Sequence, residues 1–223
     1  MIRLIYIALL LWAGTPLAWA VATVTGGTTY QTSEPTDANV PHWTGGWLNT
    51  TGEAGITGWD YVGSIGGASA VYLGNGWVLT AAHVTLTASS TFTLGNVGYA
   101  ISDITYFGSA DLAMFKVSMS LPLPALTITG THSLIGAGSQ VVMIGNGGGA
   151  ESWGMNTITH ANVEISVNSF TTVDFATKLG SYGNTALLVN GDSGGADFYY
   201  DPASQTWVLV GINEAVGADS NGD

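Results

Sequence analysis

A serine in a chemically suggestive setting lies at position 193, within the run Asn-Gly-Asp-Ser-Gly-Gly of residues 190–195. Acyl-transfer chemistry needs a hydroxyl that stands clear of its own backbone, and two main-chain N–H groups that point at one spot to hold a developing oxyanion. Gly191 has no Cβ, so its N–H can turn toward the same spot as the N–H of Ser193. With 32 glycines in 223 residues, an ordinary glycine-rich turn is the alternative interpretation of this run taken alone.

Two further motifs supply the partners that a nucleophilic serine requires. Residues 80–83, Thr-Ala-Ala-His, end a predicted apolar strand at His83, and residues 111–113, Asp-Leu-Ala, begin another at Asp111. A histidine can take the proton from the serine, and an acid can hold the imidazole in the productive tautomer. A buried core histidine and a strand-end acid are the alternative interpretations. Asp103 competes for the role of the acid, but Asp111 is preferred because it directly precedes the stronger apolar strand.

In their chain order of His, then Asp, then Ser, the three motifs resemble the chymotrypsin/trypsin-like serine peptidase family. The resemblance covers roughly Gly66 to Val216. It implies two six-stranded antiparallel β-barrels with the active site in the cleft between them, and hydrolysis of peptide bonds through an acyl-enzyme. By the same resemblance, Ser193 is the nucleophile, His83 is the general base and then the acid, and Asp111 orients the imidazole. The N–H groups of Gly191 and Ser193 form the oxyanion hole.

The resemblance also implies a substrate pocket. The residue six positions before the serine, which lies at the pocket floor in the family, is Leu187 here, and we expect Asn190 and Glu214 to lie beside it. Since Leu187 carries no carboxylate to neutralise Arg or Lys, we expect a small or medium apolar residue on the acyl side of the cleaved bond, the P1 position.

The acid before the serine, Asp192, pairs in many animal members with an amine released by cleavage after Arg or Lys. No such cleavage site precedes His83 once residues 1–20 are removed. Val21, freed by a signal peptidase, is one candidate source of that amine, and other partners for Asp192 are left open.

Chain order excludes other serine-hydrolase folds. An α/β-hydrolase needs its histidine after the serine, whereas all four histidines, at positions 42, 83, 132 and 160, come before Ser193. The α/β alternation of subtilisin-like enzymes is also missing.

The sequence holds no H-E-x-x-H motif, and residues 219–223 resemble the start of a calcium loop without its later ligands. We therefore expect neither a metal nor a cofactor.

The elements that must position these residues are short strands joined by turns. Asn-Gly at 75–76, between apolar runs, predicts a hairpin. Alternation over 163–167 predicts a half-buried strand. No window shows a helical period, so the predicted fold class is all-β. Further strands are predicted at 91–94, 97–101, 111–117, 141–144, 197–200 and 207–212.

Four segments follow from this pattern. Residues 1–20 carry one positive charge, a short apolar run and an Ala-Trp-Ala end, which is typical of a secretory signal peptide. An irregular arm and the first barrel are predicted over 21–120. Leu-Pro-Leu-Pro opens a linker at 121–129, because alternating prolines cannot join a sheet interior. The second barrel is predicted over 130–223.

Composition limits the possible partners and the location. Removing residues 1–20 also removes Arg3, so the formal net charge changes from −12 to −13 and only Lys116 and Lys178 remain basic. Phosphate neutralisation in a nucleic acid complex is therefore not expected. The mature chain has no apolar stretch long enough to span a membrane. We expect a disulfide-free protein, exported to the periplasm or the cell exterior, that acts on proteins or peptides; its oligomeric state is left open.

Two alternatives to an active endopeptidase remain. The sequence ends 30 residues after Ser193, before the last strand and the helix usual in the family. One alternative is therefore an inactive, C-terminally truncated fragment whose second barrel is incomplete. A catalytically silent binding protein on the same scaffold is the other alternative, although silent members usually lose a triad residue.

Overall fold

The fold is built from antiparallel β-strands, as the sequence predicts. The computed structural model describes residues 22–23, 31–47, 55–129, 133–167, 169–178 and 186–214. Within these ranges there is no α-helix, only short 3-10 turns at Gly58–Tyr61 and Gly147–Gly149, and none of these helical turns has the length or apolar character to cross a membrane. The strands are β1 (Ala22–Thr23), β2 (Val62–Ile65), β3 (Ala68–Gly74), β4 (Trp77–Thr80), β5 (Thr91–Leu94), β6 (Val97–Tyr106), β7 (Ala113–Val117), β8 (Gln140–Gly145), β9 (Ser152–Val167), β10 (Phe170–Thr177), β11 (Ala186–Leu187), β12 (Ala196–Asp201) and β13 (Thr206–Ile212).

The first half closes into a six-stranded barrel in the order β2-β3-β4-β7-β6-β5. The predicted hairpin is confirmed: β3 and β4 pair across a turn in which Asn75 has φ 53°, a conformation that Asn tolerates better than most residues. Alternate residues point inward, and Phe92 meets Phe115 edge-on at 5.9 Å between ring centroids. Burial of these apolar side chains is what holds a disulfide-free barrel together.

The second half forms a curled five-stranded sheet in the order β10-β9-β8-β12-β13. The predicted strand at 163–167 is the end of the much longer β9, which pairs with both β8 and β10. The sequence analysis predicted neither β10 nor β2. The chymotrypsin-like double barrel is thus confirmed, with five strands of the second barrel among the described residues. The predicted domain boundaries stay a prediction.

The N-terminal arm packs on the second half through its tryptophans. Trp43 and Trp47 are buried and contact Phe198 and Trp207 at centroid distances of 5.1–6.4 Å, mostly edge-on. This geometry suits the quadrupoles of aromatic rings. His42, at the surface, stacks on a tyrosine at the end of β12. The arm therefore covers one face of the β12–β13 hairpin.

A buried carboxyl lies inside this second half. Asp197, in β12, is fully buried, and its Oδ1 has no hydrogen-bond partner among the described residues. Burial raises the pKa of Asp197 to about 8, and the nearby charge of Asp192 acts in the same direction. The carboxyl is therefore protonated in the folded protein at neutral pH.

Replacing Asp197 with Asn should stabilise the protein at pH 8 but hardly at pH 4. The folded state holds a proton that the unfolded state has lost once the pH exceeds about 4, so wild-type stability falls as pH rises toward 8. Asn has no such proton to lose. The expected gain at pH 8 is on the order of 1–3 kcal/mol, measured by urea unfolding at both pH values. Asp103→Asn, at an exposed site, is the control; parallel pH dependences for wild type and D197N would contradict the expectation.

Candidate active site

His83 and Asp111 form a two-point contact. His83 Nδ1 lies 2.5 Å from Asp111 Oδ2, and the His83 main-chain N–H donates to Asp111 Oδ1 at 2.7 Å. The carboxylate is 3% exposed and the imidazole 35% exposed. Because Nδ1 is engaged with the carboxylate, Nε2 is the nitrogen left to exchange a proton with a hydroxyl.

Strand pairing explains why these two residues meet. Thr80, the last residue of β4, pairs with Ala113, the first residue of β7. The segment that leaves β4 and the segment that enters β7 therefore lie side by side, and they carry His83 and Asp111 respectively. The burial of Asp111 keeps this contact out of solvent, which strengthens a charge-assisted hydrogen bond.

Asp103, the rival acid, lies elsewhere. It is in β6, is 62% exposed, and is 3.8 Å from the ammonium of Lys116. Its φ of 50° coincides with a register shift between Ser102 and Thr105, which is typical of a β-bulge. Asp111, not Asp103, contacts the imidazole.

The loop at residues 191–195, called the serine loop below, leaves two of its main-chain N–H groups without an acceptor. The N–H groups of residues 192, 194 and 195 donate to the carbonyls of Val189, Asn213 and Asp192 at 3.0, 2.7 and 2.9 Å. Those of Gly191 and Ser193 donate to no acceptor in the part of the chain that the structure describes. Unpaired main-chain donors are costly unless solvent or a ligand accepts from them. Two such donors beside a serine can hold an oxyanion.

Ser69, in β3, ties this loop to the first barrel. Its N–H donates to the carbonyl of Ser193 at 2.9 Å, and its hydroxyl donates to the carbonyl of Gly191 at 2.7 Å. The same hydroxyl accepts from the N–H of Asn146 at 2.7 Å, and the Ser69 carbonyl accepts from the Thr80 hydroxyl at 2.7 Å. Every polar group of this fully buried residue is therefore used, and its N–H and its hydroxyl join the two halves.

Gly194 brings the serine to the end of β4. Its φ is 84°, and a Cβ there would collide with the Thr80 side chain and the Ser69 carbonyl. Thr80 is three residues before His83, so Ser193 and His83 belong to the same region.

The Ser193 hydroxyl makes no hydrogen bond to another described residue. Catalytic hydrogen bonds are often long in unliganded enzymes, and a shared proton between Ser193 and His83 stays a prediction.

Asp192 is held by main-chain donors. Its Oδ1 accepts from the N–H of Gly147 at 3.1 Å, and its Oδ2 accepts from the N–H of Val189 at 2.8 Å. A Cβ at Gly145 would collide with this carboxylate. Val21, the other suggested partner, lies outside the described residues. Backbone N–H groups are thus one source of the compensation that this buried acid needs.

The three predicted pocket residues occupy different elements. Leu187 is half-buried in β11, Asn190 is exposed in the loop before the serine, and Glu214 follows β13. The Thr172 hydroxyl lies 3.1 Å from the Glu214 carboxyl. Burial raises the pKa of Glu214 to about 7, and the charge of Asp174 adds to this shift. That Leu187, Asn190 and Glu214 line one pocket stays a prediction.

The other candidates lie in different places. His160 is exposed and lies within 3.2 Å of its neighbour Thr159, and His132 and residues 219–223 lie outside the described residues. Where the structure describes the chain, no three His, Asp or Glu side chains are grouped as metal ligands would be.

Sequence reasoning missed the residues that support the site. Asn213 accepts from the N–H of Gly194 and donates its own N–H to the carbonyl of Gly195 at 2.9 Å, while its side chain donates to Ile144 at 3.0 Å. Ser69 lies in one of the apolar runs that flank the hairpin at residues 75–76, and nothing in the sequence marked it as a contact between the halves. In both cases the available signal was a small polar residue inside an apolar run, because such a residue must find hydrogen-bond partners when it is buried.

Comparison with known families gives one match. A model of the trypsin-like peptidase domain matches residues 68–212, a range that contains the contact between His83 and Asp111 and the loop of Ser193. A comparison with curated proteins finds no match.

Solved structures share this fold. One is the Rv3671c protease of M. tuberculosis in its inactive form, with 21% identity, a TM-score of 0.58, and coverage of 74% of this chain and 81% of that one. The MamO protease domain of Magnetospirillum magneticum has 19% identity, a TM-score of 0.55, and coverage of 74% and 88%. At these identities the likeness is one of fold. The HtrA-type protease AlgW, solved with a decapeptide, has 28% identity and a TM-score of 0.54, over 70% of this chain; the chain spans 45% of AlgW.

Replacing Ser69 with Ala should weaken both the fold and the serine loop. The change removes the hydrogen bond to Gly191 and leaves the N–H of Asn146 without its acceptor, at a cost of about 1–3 kcal/mol. Urea unfolding measures this cost, and the labelling rate of Ser193 by a fluorophosphonate should fall at the same time. Ser64→Ala is the matched control, since Ser64 pairs with Ser69 across β2 and β3. Equal losses in the two variants would contradict the role of Ser69.

Proposed function

The chain belongs to the trypsin-like peptidase family, and on this basis we propose that it is an exported serine endopeptidase that hydrolyses peptide bonds through an acyl-enzyme on Ser193. The observation that carries this proposal is the contact of His83 with the buried Asp111, in a fold that places a serine loop with two free N–H groups near the end of β4. A nucleophile, a base, an orienting acid and an oxyanion site are the parts that acyl transfer requires.

The proposed reaction proceeds in two halves. The Ser193 hydroxyl attacks the peptide carbonyl while His83 Nε2 takes its proton, and the C–N bond breaks as the imidazolium protonates the leaving amine. Water then attacks the acyl carbonyl while His83 Nε2 takes its proton, and the ester C–O bond to Ser193 breaks as the imidazolium returns that proton to the serine oxygen. Asp111 stabilises the imidazolium in both halves, and the N–H groups of Gly191 and Ser193 hold the oxyanion. The imidazole must be unprotonated at the start of each half, so that Nε2 can accept the proton.

The proposed substrate is a protein or peptide. The AlgW structure contains a decapeptide, which supports a peptide as the partner of this fold. With 15 acidic residues against three Lys and Arg in the whole chain, we do not propose a nucleic acid partner. The signal-peptide pattern over residues 1–20 supports export to the periplasm or the cell exterior.

One observation favours a catalytically silent binding protein as the second candidate. The Ser193 hydroxyl makes no hydrogen bond to any other described residue, whereas an active triad needs Ser193 and His83 within reach of one proton. The two candidates differ in whether the serine is nucleophilic.

Labelling with a fluorophosphonate separates them. The wild-type protein should be labelled, Ser193→Ala should not be, and His83→Ala should label far more slowly because the base is missing. Asp111→Asn should lower kcat on a peptide substrate by roughly 10³–10⁴, because an amide favours the wrong tautomer of the imidazole. A folded wild-type protein that is not labelled would favour the binding protein.

Cleavage of a peptide panel tests the preference at P1. Substrates with Ala, Val or Leu at P1 should be cleaved faster than those with Arg, because Leu187 leaves the cation without a counter-charge at the pocket floor. The measurement is kcat/KM for peptides that differ only at P1. A faster rate with Arg would refute the assignment of Leu187 to the pocket floor.

A further inference from the structure

Two carboxyl groups share one hydroxyl at the edge of the second sheet. The hydroxyl of Thr172, in β10, lies 2.7 Å from Asp174 Oδ2 and 3.1 and 3.3 Å from the two carboxyl oxygens of Glu214. Asp174 is in the same strand as Thr172, whereas Glu214 is two residues beyond the end of β13. The three side chains therefore connect the two outer strands of the five-stranded sheet.

The single proton of the Thr172 hydroxyl cannot fully satisfy two ionised carboxylates at once. A hydroxyl carries one proton, and an ionised carboxylate can only accept. If Thr172 donates along its shorter contact to Asp174, then the contact with Glu214 is a hydrogen bond only when Glu214 carries a proton and donates it to the hydroxyl oxygen. The geometry thus favours one neutral carboxyl and one carboxylate.

The electrostatic environment of Glu214 agrees with this count. Burial raises its pKa to about 7, and the negative charges of Asp174 on β10 and Asp111 before β7 act in the same direction, whereas the hydrogen bond with Thr172 acts against them. The charged groups that raise this pKa are thus carboxylates, and the imidazole of His83 contacts one of them, Asp111.

The cluster lies between the parts of the proposed active site. The N–H of Thr171 donates to the carbonyl of Ser109 at 2.8 Å, two residues before Asp111. On the other side, Glu214 directly follows Asn213, whose carbonyl accepts from the N–H of Gly194 at 2.7 Å. Displacement of Glu214, which the family resemblance assigns to the substrate pocket, would therefore disturb the end of β13.

We propose that Glu214 is a positioning residue for substrate binding: its protonated carboxyl, bonded to Thr172 beside Asp174, holds the end of β13 against β10. The proposal rests on the peptidase function proposed above. When Glu214 loses its proton, two carboxylates compete for one hydroxyl and repel each other, so the end of β13 is released. Substrate affinity should then fall as the pH rises through about 7, independently of the proton transfers at His83.

The test is the pH dependence of KM and kcat between pH 5.5 and 9 on one peptide substrate. Wild-type KM should rise about tenfold, the order of effect of one hydrogen bond to a charged group. In Glu214→Gln, the neutral amide should hold β13 at every pH, so KM should stay flat. In Glu214→Ala, KM should be high throughout. The matched control is Glu164→Gln, which makes the same charge change at an exposed position in β9, the strand that pairs with β10. Its KM should follow the wild-type pH profile.

A second measurement does not depend on activity. In a Ser193→Ala background with ¹³C-labelled glutamate carboxyls, one resonance should titrate near neutrality and be missing in Glu214→Gln but present in Glu164→Gln. The inference is overturned if the missing resonance titrates in the ordinary range of glutamate, or if KM in wild type and E214Q changes equally with pH. A protein that resists fluorophosphonate but shows the neutral titration would refute the peptidase function and not the proton held by Glu214.

Discussion

The serine loop depends on hydrogen bonds that reach it from both halves of the molecule. From the first barrel, Ser69 bonds the carbonyls of Gly191 and Ser193. From the second sheet, Asn213 accepts from Gly194 and donates to Gly195. These contacts use the carbonyls of residues 191 and 193 and the N–H groups of residues 194 and 195, whereas the N–H groups of Gly191 and Ser193 donate to no described residue. The proposed oxyanion site therefore lies where the two halves of the molecule meet.

The same interface also holds the end of β4 in place. Thr80 bonds the carbonyl of Ser69 and packs against Gly194, so the strand that leads to His83 is anchored directly beneath the serine loop. The pairing of β4 with β7 then brings Asp111 to the imidazole. Positions that are far apart in the chain are connected through a few buried polar groups, each of which would be costly to leave unpaired.

A shortage of cations shapes the electrostatics of the protein. With three Lys and Arg in the whole chain, its buried acids have few basic partners available. Asp192 is compensated by main-chain N–H groups, whereas burial raises the pKa of Asp197 to about 8 and that of Glu214 to about 7. Burial of these acids therefore links the stability of the protein to pH, because the folded state holds a proton that the unfolded state loses.

The amino-acid sequence by itself determined the all-β class, the hairpin at Asn75 and the three motifs that carry His83, Asp111 and Ser193, because alternation, turn residues and short motifs are local properties. Strand β10, the bonds of Ser69 and the proximity of Thr172 to Glu214 were decided only by the tertiary structure. The bonds of Ser69 to the carbonyls of Gly191 and Ser193 and the contact of Thr172 with Glu214 join residues that are more than 40 positions apart, and no local pattern states which buried polar group will meet which partner. Strand β10 pairs with its neighbour β9, but its sequence lacks a clear alternation of apolar and polar residues. The choice of Asp111 over Asp103 lies between these cases: the sequence favoured it, but only the pairing of β4 with β7 put the carboxylate against the imidazole.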